Sequence, residues 1–125
     1  EATYLERQLV SPDVLMLVCE VEGKLAGNCQ LDLNRWRKTR HRGQVAIALL
    51  KDYWGLGIGT AMFEEMIDKA RQEKLEQLEL EVIEGNQRAM GLYHKMGFVC
   101  TGEKPNAIRL EDGSSLKELM MVKVL

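Results

Sequence analysis

The spacing of hydrophobic and polar positions changes several times along the chain, and each change marks an element. Residues 1–10 are compatible with the closing part of a helix that stops at "SPD", where Pro12 bars continuation. "LMLVCEVEGKLAGNCQLDL" then predicts two strands joined at Glu22-Gly23-Lys24, a hairpin with glycine at its turn. A third strand is predicted over "GQVAIALL", residues 43–50. Within it Val45, Ile47 and Leu49 share one face and Ala46 and Ala48 the other, a low face that is either incidental or room for a ligand. Farther on, Met62, Phe63, Met66, Ile67 and Ala70 recur at helical spacing, with Glu64, Glu65, Asp68, Lys69 and Gln72 opposite them. That pattern predicts a one-sided helix of about 15 residues lying on a sheet. "QLELEVI", residues 77–83, alternates strictly, with Leu78, Leu80 and Val82 facing one way and Glu79 and Glu81 the other. Asn86 is placed to cap a second short helix whose stripe is Ala89, Leu92, Tyr93 and Met96, closed by Gly97. "FVCTGE" and "SLKELMMVKVL" supply two closing strands around the turn-rich "EDGSS". A strand–helix–strand unit, residues 43–83, thus sits inside a largely antiparallel set. The prediction is an α/β (α+β) fold with a mixed, mostly antiparallel sheet and helices on its faces, formed by residues 1–125 as one domain.

Between the third strand and the first long helix lies "YWGLGIGT", residues 53–60, with Gly55, Gly57 and Gly59 at alternate positions. Each glycine in an ordered element costs roughly 0.5–1 kcal/mol relative to alanine, so three of them imply a sharply turning backbone or one that a ligand approaches closely. Successive N–H groups entering a helix, together with the positive end of its dipole, make an anion site that needs no charged side chain. The first turn, Gly57 to Ala61, carries no carboxylate. A P-loop would end Gly-Lys-Ser/Thr, whereas this loop ends Gly-Thr. A dinucleotide loop would place GxGxxG at the strand end, whereas here GxGxG follows an intervening "KDYW". A phosphorylated ligand of another kind fits the loop, beside the plainer reading of a glycine turn with no ligand.

Composition narrows the setting. A hydrophobic fraction of 46% with 29% charged residues is that of an ordinary globular chain. No apolar run approaches the roughly 18 residues of a membrane span, and the polar opening "EATYLERQ" does not resemble a signal peptide. Cys19, Cys29 and Cys100 form no CxxC pair, so neither a disulfide framework nor a zinc site is expected, and a reducing cytoplasm is the expected home. A net charge of −2 argues against general affinity for nucleic acid. The locally basic "RWRKTRHR", residues 35–42, is either a solvated hairpin connection or a rim that attracts an anionic ligand or an acidic acceptor.

"LLKDYWGLGIGTAMFEEMI" followed by "LELEVIEGNQRAMGLYHKMGF" resembles the GNAT superfamily of N-acetyltransferases, in which a Gln/Arg-x-x-Gly-x-Gly/Ala loop holds an acyl-coenzyme A donor. The resemblance covers roughly residues 15–125 and joins two separated motifs in the family's order. It implies that the backbone of Ile47, Ala48 and Leu49 pairs with the pantetheine arm, and that the N–H groups of Gly55, Leu56, Gly57, Ile58, Gly59 and Thr60 hold the pyrophosphate. It further implies a cofactor contact for Asn86, a place near the thioester sulfur for Tyr93, and the part of a base for Glu81. Trp54 stands where the family has Gln or Arg, which removes a side-chain donor and leaves the backbone cradle. The family's strand and two helices before the first hairpin are not matched, which implies a shortened N-terminal part.

The implied reaction is direct attack by a neutral primary amine, of a small molecule or a protein, on acetyl-coenzyme A. An amine of pKa about 10 needs a base at neutral pH, and a departing thiolate of pKa about 8.5 benefits from an acid. Glu81, directly or through water, is the expected base, Tyr93 the expected acid, and the Leu49 N–H a donor to the developing oxyanion. No metal, nucleic acid or membrane enters this scheme, which leaves room for a homodimer. The plainer alternatives are a solvent-facing strand residue for Glu81, a packing aromatic for Tyr93, and a catalytically idle acyl-coenzyme A sensor for the whole chain.

Overall fold

The computed structural model describes residues 2–8, through their backbone alone, and residues 12–125. Along the chain run β1 (Ala2–Gln8), β2 (Val14–Val21), β3 (Lys24–Leu33), β4 (Arg42–Leu49), α1 (Ile58–Gln72), β5 (Gln77–Ile83), α2 (Gln87–Lys95), β6 (Val99–Arg109) and β7 (Ser115–Val124), with a short 3-10 turn at Lys51–Tyr53. The strands form one sheet in the order β1-β2-β3-β4-β5-β7-β6.

Within the helix predicted over residues 1–10, Ala2–Gln8 form a strand instead: β1 pairs antiparallel with β2 from Ala2 opposite Val21 to Gln8 opposite Leu15. Two turns of isolated helix are marginal in water, whereas a strand here satisfies the outer backbone edge of β2, so tertiary pairing overrides local preference. Residues 1, 9 and 10 of that segment lie outside the described residues. The predicted hairpin forms between β2 and β3, with Glu22 (φ 51°) and Gly23 (φ 79°) giving the two positive φ angles of a type I′ turn. β6 runs past "FVCTGE" to Arg109, through Pro105. Proline is tolerated there because β6 is the outermost strand, and the ladder shifts register between Lys104 and Ile108, where Asn106 turns at φ 52°.

α1 spans the 15 residues its periodicity predicts and buries Met62, Phe63, Met66, Ile67 and Ala70. These meet Leu17, Cys19, Cys29, Leu31, Val45, Leu78, Leu80 and Val82 from the sheet in one core. α2 packs on the same side, with Tyr93 edge-on to Phe63 at 5.7 Å between ring centroids, and Phe98 edge-on to Phe63 at 5.7 Å. Among the described residues both helices lie on this face. Strand alternation sends Gln44, Ala46, Ala48, Glu79 and Glu81 to the other.

The order contains one parallel neighbour pair, and it is brief. β4 and β5 are in register only at Arg42–Gln77, Gly43–Leu78 and Gln44–Glu79. Beyond Gln44 the strands diverge, while β4 stays paired with β3 as far as Leu49. Arg42 holds the closed end: its guanidinium takes Glu79 in a two-pronged ion pair, Nε to Oε2 and Nη2 to Oε1, the latter at 2.8 Å.

Candidate functional site

Where β4 and β5 part, a cleft of about 640 Å³ opens between the end of β4, the glycine loop and α2. Its walls include Ile47, Ala48, Leu49, Gly55, Gly57, Ile58, Gly59, Thr60, Asn86 and Tyr93. Of the residues singled out in the sequence, Leu56 and Glu81 do not line it. Leu56 is 66% exposed, its side chain turned to solvent.

The glycines serve different ends. Gly55 (φ 77°) and Gly57 (φ 79°) occupy the left-handed region, with open space where a Cβ would stand. Gly59 is ordinary helix, and a Cβ there would come 3.0 Å from Leu92 Cδ2, so its missing side chain lets α1 approach α2. Gly57 is also the N-cap of α1 and makes no side-chain cap bond, and the first turn holds no acid. The first intrahelical bond is Ala61 N–H to Gly57 O at 3.1 Å, so the N–H groups of Ile58, Gly59 and Thr60 have no partner within the helix. Uncapped amides facing a cleft suit an anion. The wall adds Arg88 and Lys95 and contains no Asp or Glu, although the chain as a whole carries a net charge of −2.

Trp54 spends its Nε1–H within the chain: it donates to the Leu49 carbonyl at 3.0 Å and ties the loop to the end of β4. The Arg88 guanidinium lies over its ring, 4.4 Å from the centroid. Asn86 caps α2, its Oδ1 accepting the Ala89 N–H at 3.2 Å, which leaves its amide NH₂ unused by the cap. Sequence reasoning missed Arg88, Gly91 and Lys95, which line the cleft from one side of α2. Their spacing of three and four residues carried the signal, since a helical face with glycine at its centre has the same low profile that Ala46 and Ala48 give β4.

Tyr93 is 7% exposed, its ring in the core and its edge on the cleft. Burial, with the neighbouring Cys29 adding to it, pushes its phenol above the ordinary value and keeps it protonated. Glu81 stands on the other face of β5 and does not share the cleft with Tyr93. Beside it lies Glu118 on β7, and Lys104 Nζ on β6 is 3.9 Å from Glu81 Oε2 and 3.6 Å from Glu118 Oε1. The hydrogen bond with the Glu118 carboxyl raises the pKa of Glu81, desolvation and like charge adding to it and Lys104 opposing it. Glu79 behaves oppositely, held below the usual carboxylate range first by its hydrogen bond from Arg42. The basic run 35–42 joins β3 to the start of β4, the end of that strand opposite the glycine loop.

The Acetyltransferase (GNAT) family model matches residues 1–98. A candidate ribosomal protein bS18-alanine N-acetyltransferase of Bacillus subtilis is 29% identical over 104 residues, 83% of this chain and 66% of its own length. A GNAT-family acetyltransferase of Streptococcus pneumoniae superposes with a TM-score of 0.86 at 32% identity, over 93% of this chain and 70% of that one. A Salmonella typhimurium protein solved with its cofactor acetyl-CoA shares the fold with a TM-score of 0.79 at 22% identity, over 90% of this chain and 65% of that one. The chain spans 66%, 37% and 46% of the lengths of three curated relatives it matches.

Proposed function

The chain belongs to the acetyltransferase (GNAT) family, and from that premise we propose that residues 1–125 form one domain that moves an acetyl group from acetyl-coenzyme A to a primary amine. The observation that carries this reading is the cleft itself: a parting of β4 from β5 that ends on an uncapped helix N-terminus with no acid in its walls. When bound, acetyl-coenzyme A supplies an activated thioester. The residues fit it: the edge of β4 over Ile47–Leu49, apart from the Leu49 carbonyl that Trp54 takes, would hold the arm, the amides from Gly55 to Thr60 would hold the diphosphate, and the amide of Asn86 would contact the cofactor.

Tyr93, neutral at ordinary pH and still more so for its burial, donates its phenolic proton toward the leaving sulfur. Glu81 takes the proton of the incoming amine, directly or through water. Since Glu81 and Tyr93 stand on opposite faces, the amine comes from the helix-free face and meets the thioester in the gap between β4 and β5. There Ala46 and Ala48 leave it space. The raised pKa of Glu81 makes it a stronger base than the ion-paired Glu79.

Two measurements test the proposal. Calorimetric titration with acetyl-coenzyme A should give saturable binding, and a screen of small amines, polyamines and peptide N-termini should find an acceptor that drives thiol release. Absence of binding overturns the proposal. Binding without transfer to any acceptor overturns the transfer step and leaves an acyl-coenzyme A sensor.

A further inference from the structure

We propose that Arg88, whose guanidinium lies over the Trp54 indole in the wall of the cleft, is a diphosphate-binding arm that works with the glycine-loop amides. The proposal rests on the reading of the cleft as an acyl-coenzyme A site. Trp54 is fixed at two points, by its place in the loop and by the Nε1–H bond to the Leu49 carbonyl at 3.0 Å. The indole is therefore a platform tied to β4. On it rests the Arg88 guanidinium, 4.4 Å from the ring centroid, reached from the first turn of α2.

Stacking uses the π face of a guanidinium and leaves its N–H edges free. Among the described residues no carboxylate or carbonyl takes those edges. Arg88, Gly57, Gly59 and Thr60 line the same cleft, so a fixed cation and a row of uncapped amides border one space. One phosphate would be served by either set alone. Two linked phosphates use both, with the planar fork binding one of them through two parallel hydrogen bonds. The loop position where the family resemblance expects Gln or Arg carries Trp54 here, and the side-chain donor comes across the cleft mouth from α2 instead.

The chain has two tryptophans, and Trp36 is 81% exposed in the basic run at the other end of β4. Trp36→Phe therefore leaves Trp54 as the one indole reporter. In that background coenzyme A, ADP and pantetheine are titrated by Trp54 fluorescence and by calorimetry. Coenzyme A and ADP should both perturb the emission. Arg88→Ala should weaken both by about 10–100-fold and leave pantetheine affinity unchanged. Arg88→Lys, which keeps the charge but loses the planar fork, should recover part of the loss, and added salt should weaken the parent more than Arg88→Ala. Equal coenzyme A affinity in the parent and in Arg88→Ala overturns the arm while leaving the acyl-coenzyme A reading in place, as does an equal loss of pantetheine affinity. A parent that binds no coenzyme A by calorimetry overturns both.

Discussion

Glu79 and Glu81 project from the same face of β5 two residues apart, yet one is locked in an ion pair with Arg42 and the other leans on a second carboxyl. Alternation alone made them equivalent; their strand neighbours separate them, because β4 presents Arg42 at the closed end and β7 presents Glu118 farther along. If Glu81 is the base, kcat/KM should fall on the acid side at a pH above that of an ordinary glutamate. Glu118→Gln removes the group that raises Glu81 and should move this limb toward lower pH, while Glu81→Gln should abolish it. Profiles of the parent and both variants with one acceptor check this, and three superimposable curves would return Glu81 to a solvated strand residue. Tyr93→Phe keeps the ring against Phe63 and removes the acid, so kcat should drop by about 10²–10⁴ while coenzyme A affinity holds. Unchanged turnover would leave Tyr93 a packing residue.

At the scale of elements, the start of α1 and the closed end of β4 and β5 do separate jobs. Gly57→Ala meets no neighbour, yet it forces a side chain into the left-handed region, and the strain should be about 1–2 kcal/mol in urea unfolding. The same variant should lose coenzyme A affinity, because the turn that aims the amides relaxes. Arg42→Met tests the other end. It removes a pair whose side chains are 41% and 19% exposed, so a loss of about 0.5–1.5 kcal/mol at neutral pH is expected. The Glu79 pKa is lowered by folding, so this stabilisation is present above the ordinary glutamate value and disappears as the pH falls through the depressed one. Parent and variant should therefore converge in acid, and a gap that persists at low pH would assign the loss to packing. α1, β5 and the cap of α2 were legible because their periodicity, alternation and Asn86 agree with their surroundings. β1 was not, because its partner is β2, and the far half of β6 was not, because only its edge position makes Pro105 acceptable.

Across the whole molecule, the glycine loop and the two motifs pointed to the cleft, whereas the placement of Glu81 and Tyr93 on two faces needed the sheet. The basic run 35–42 shows the same limit: rich in charge and adjacent to β4 in sequence, it lies at the end of that strand away from the glycine loop. Neutralising Arg37, Lys38 and Arg40 together should therefore leave coenzyme A affinity unchanged and alter only acceptor preference or association rate. A matching loss of coenzyme A affinity, measured by calorimetry, would contradict this separation. The parting of β4 from β5 also bears on how the molecule holds itself together. Antiparallel ladders knit β1–β4 on one side and β5, β7 and β6 on the other, but only three residue pairs join the two halves across the sheet. A ligand laid along the free edge of β4 would act as a splint between these lobes. Occupancy at a hundred times Kd adds about 2.7 kcal/mol to folding stability, so the melting temperature should climb with ligand concentration. Amide hydrogen exchange over Val45–Leu49 should slow in step, making the cargo a removable strand of the sheet.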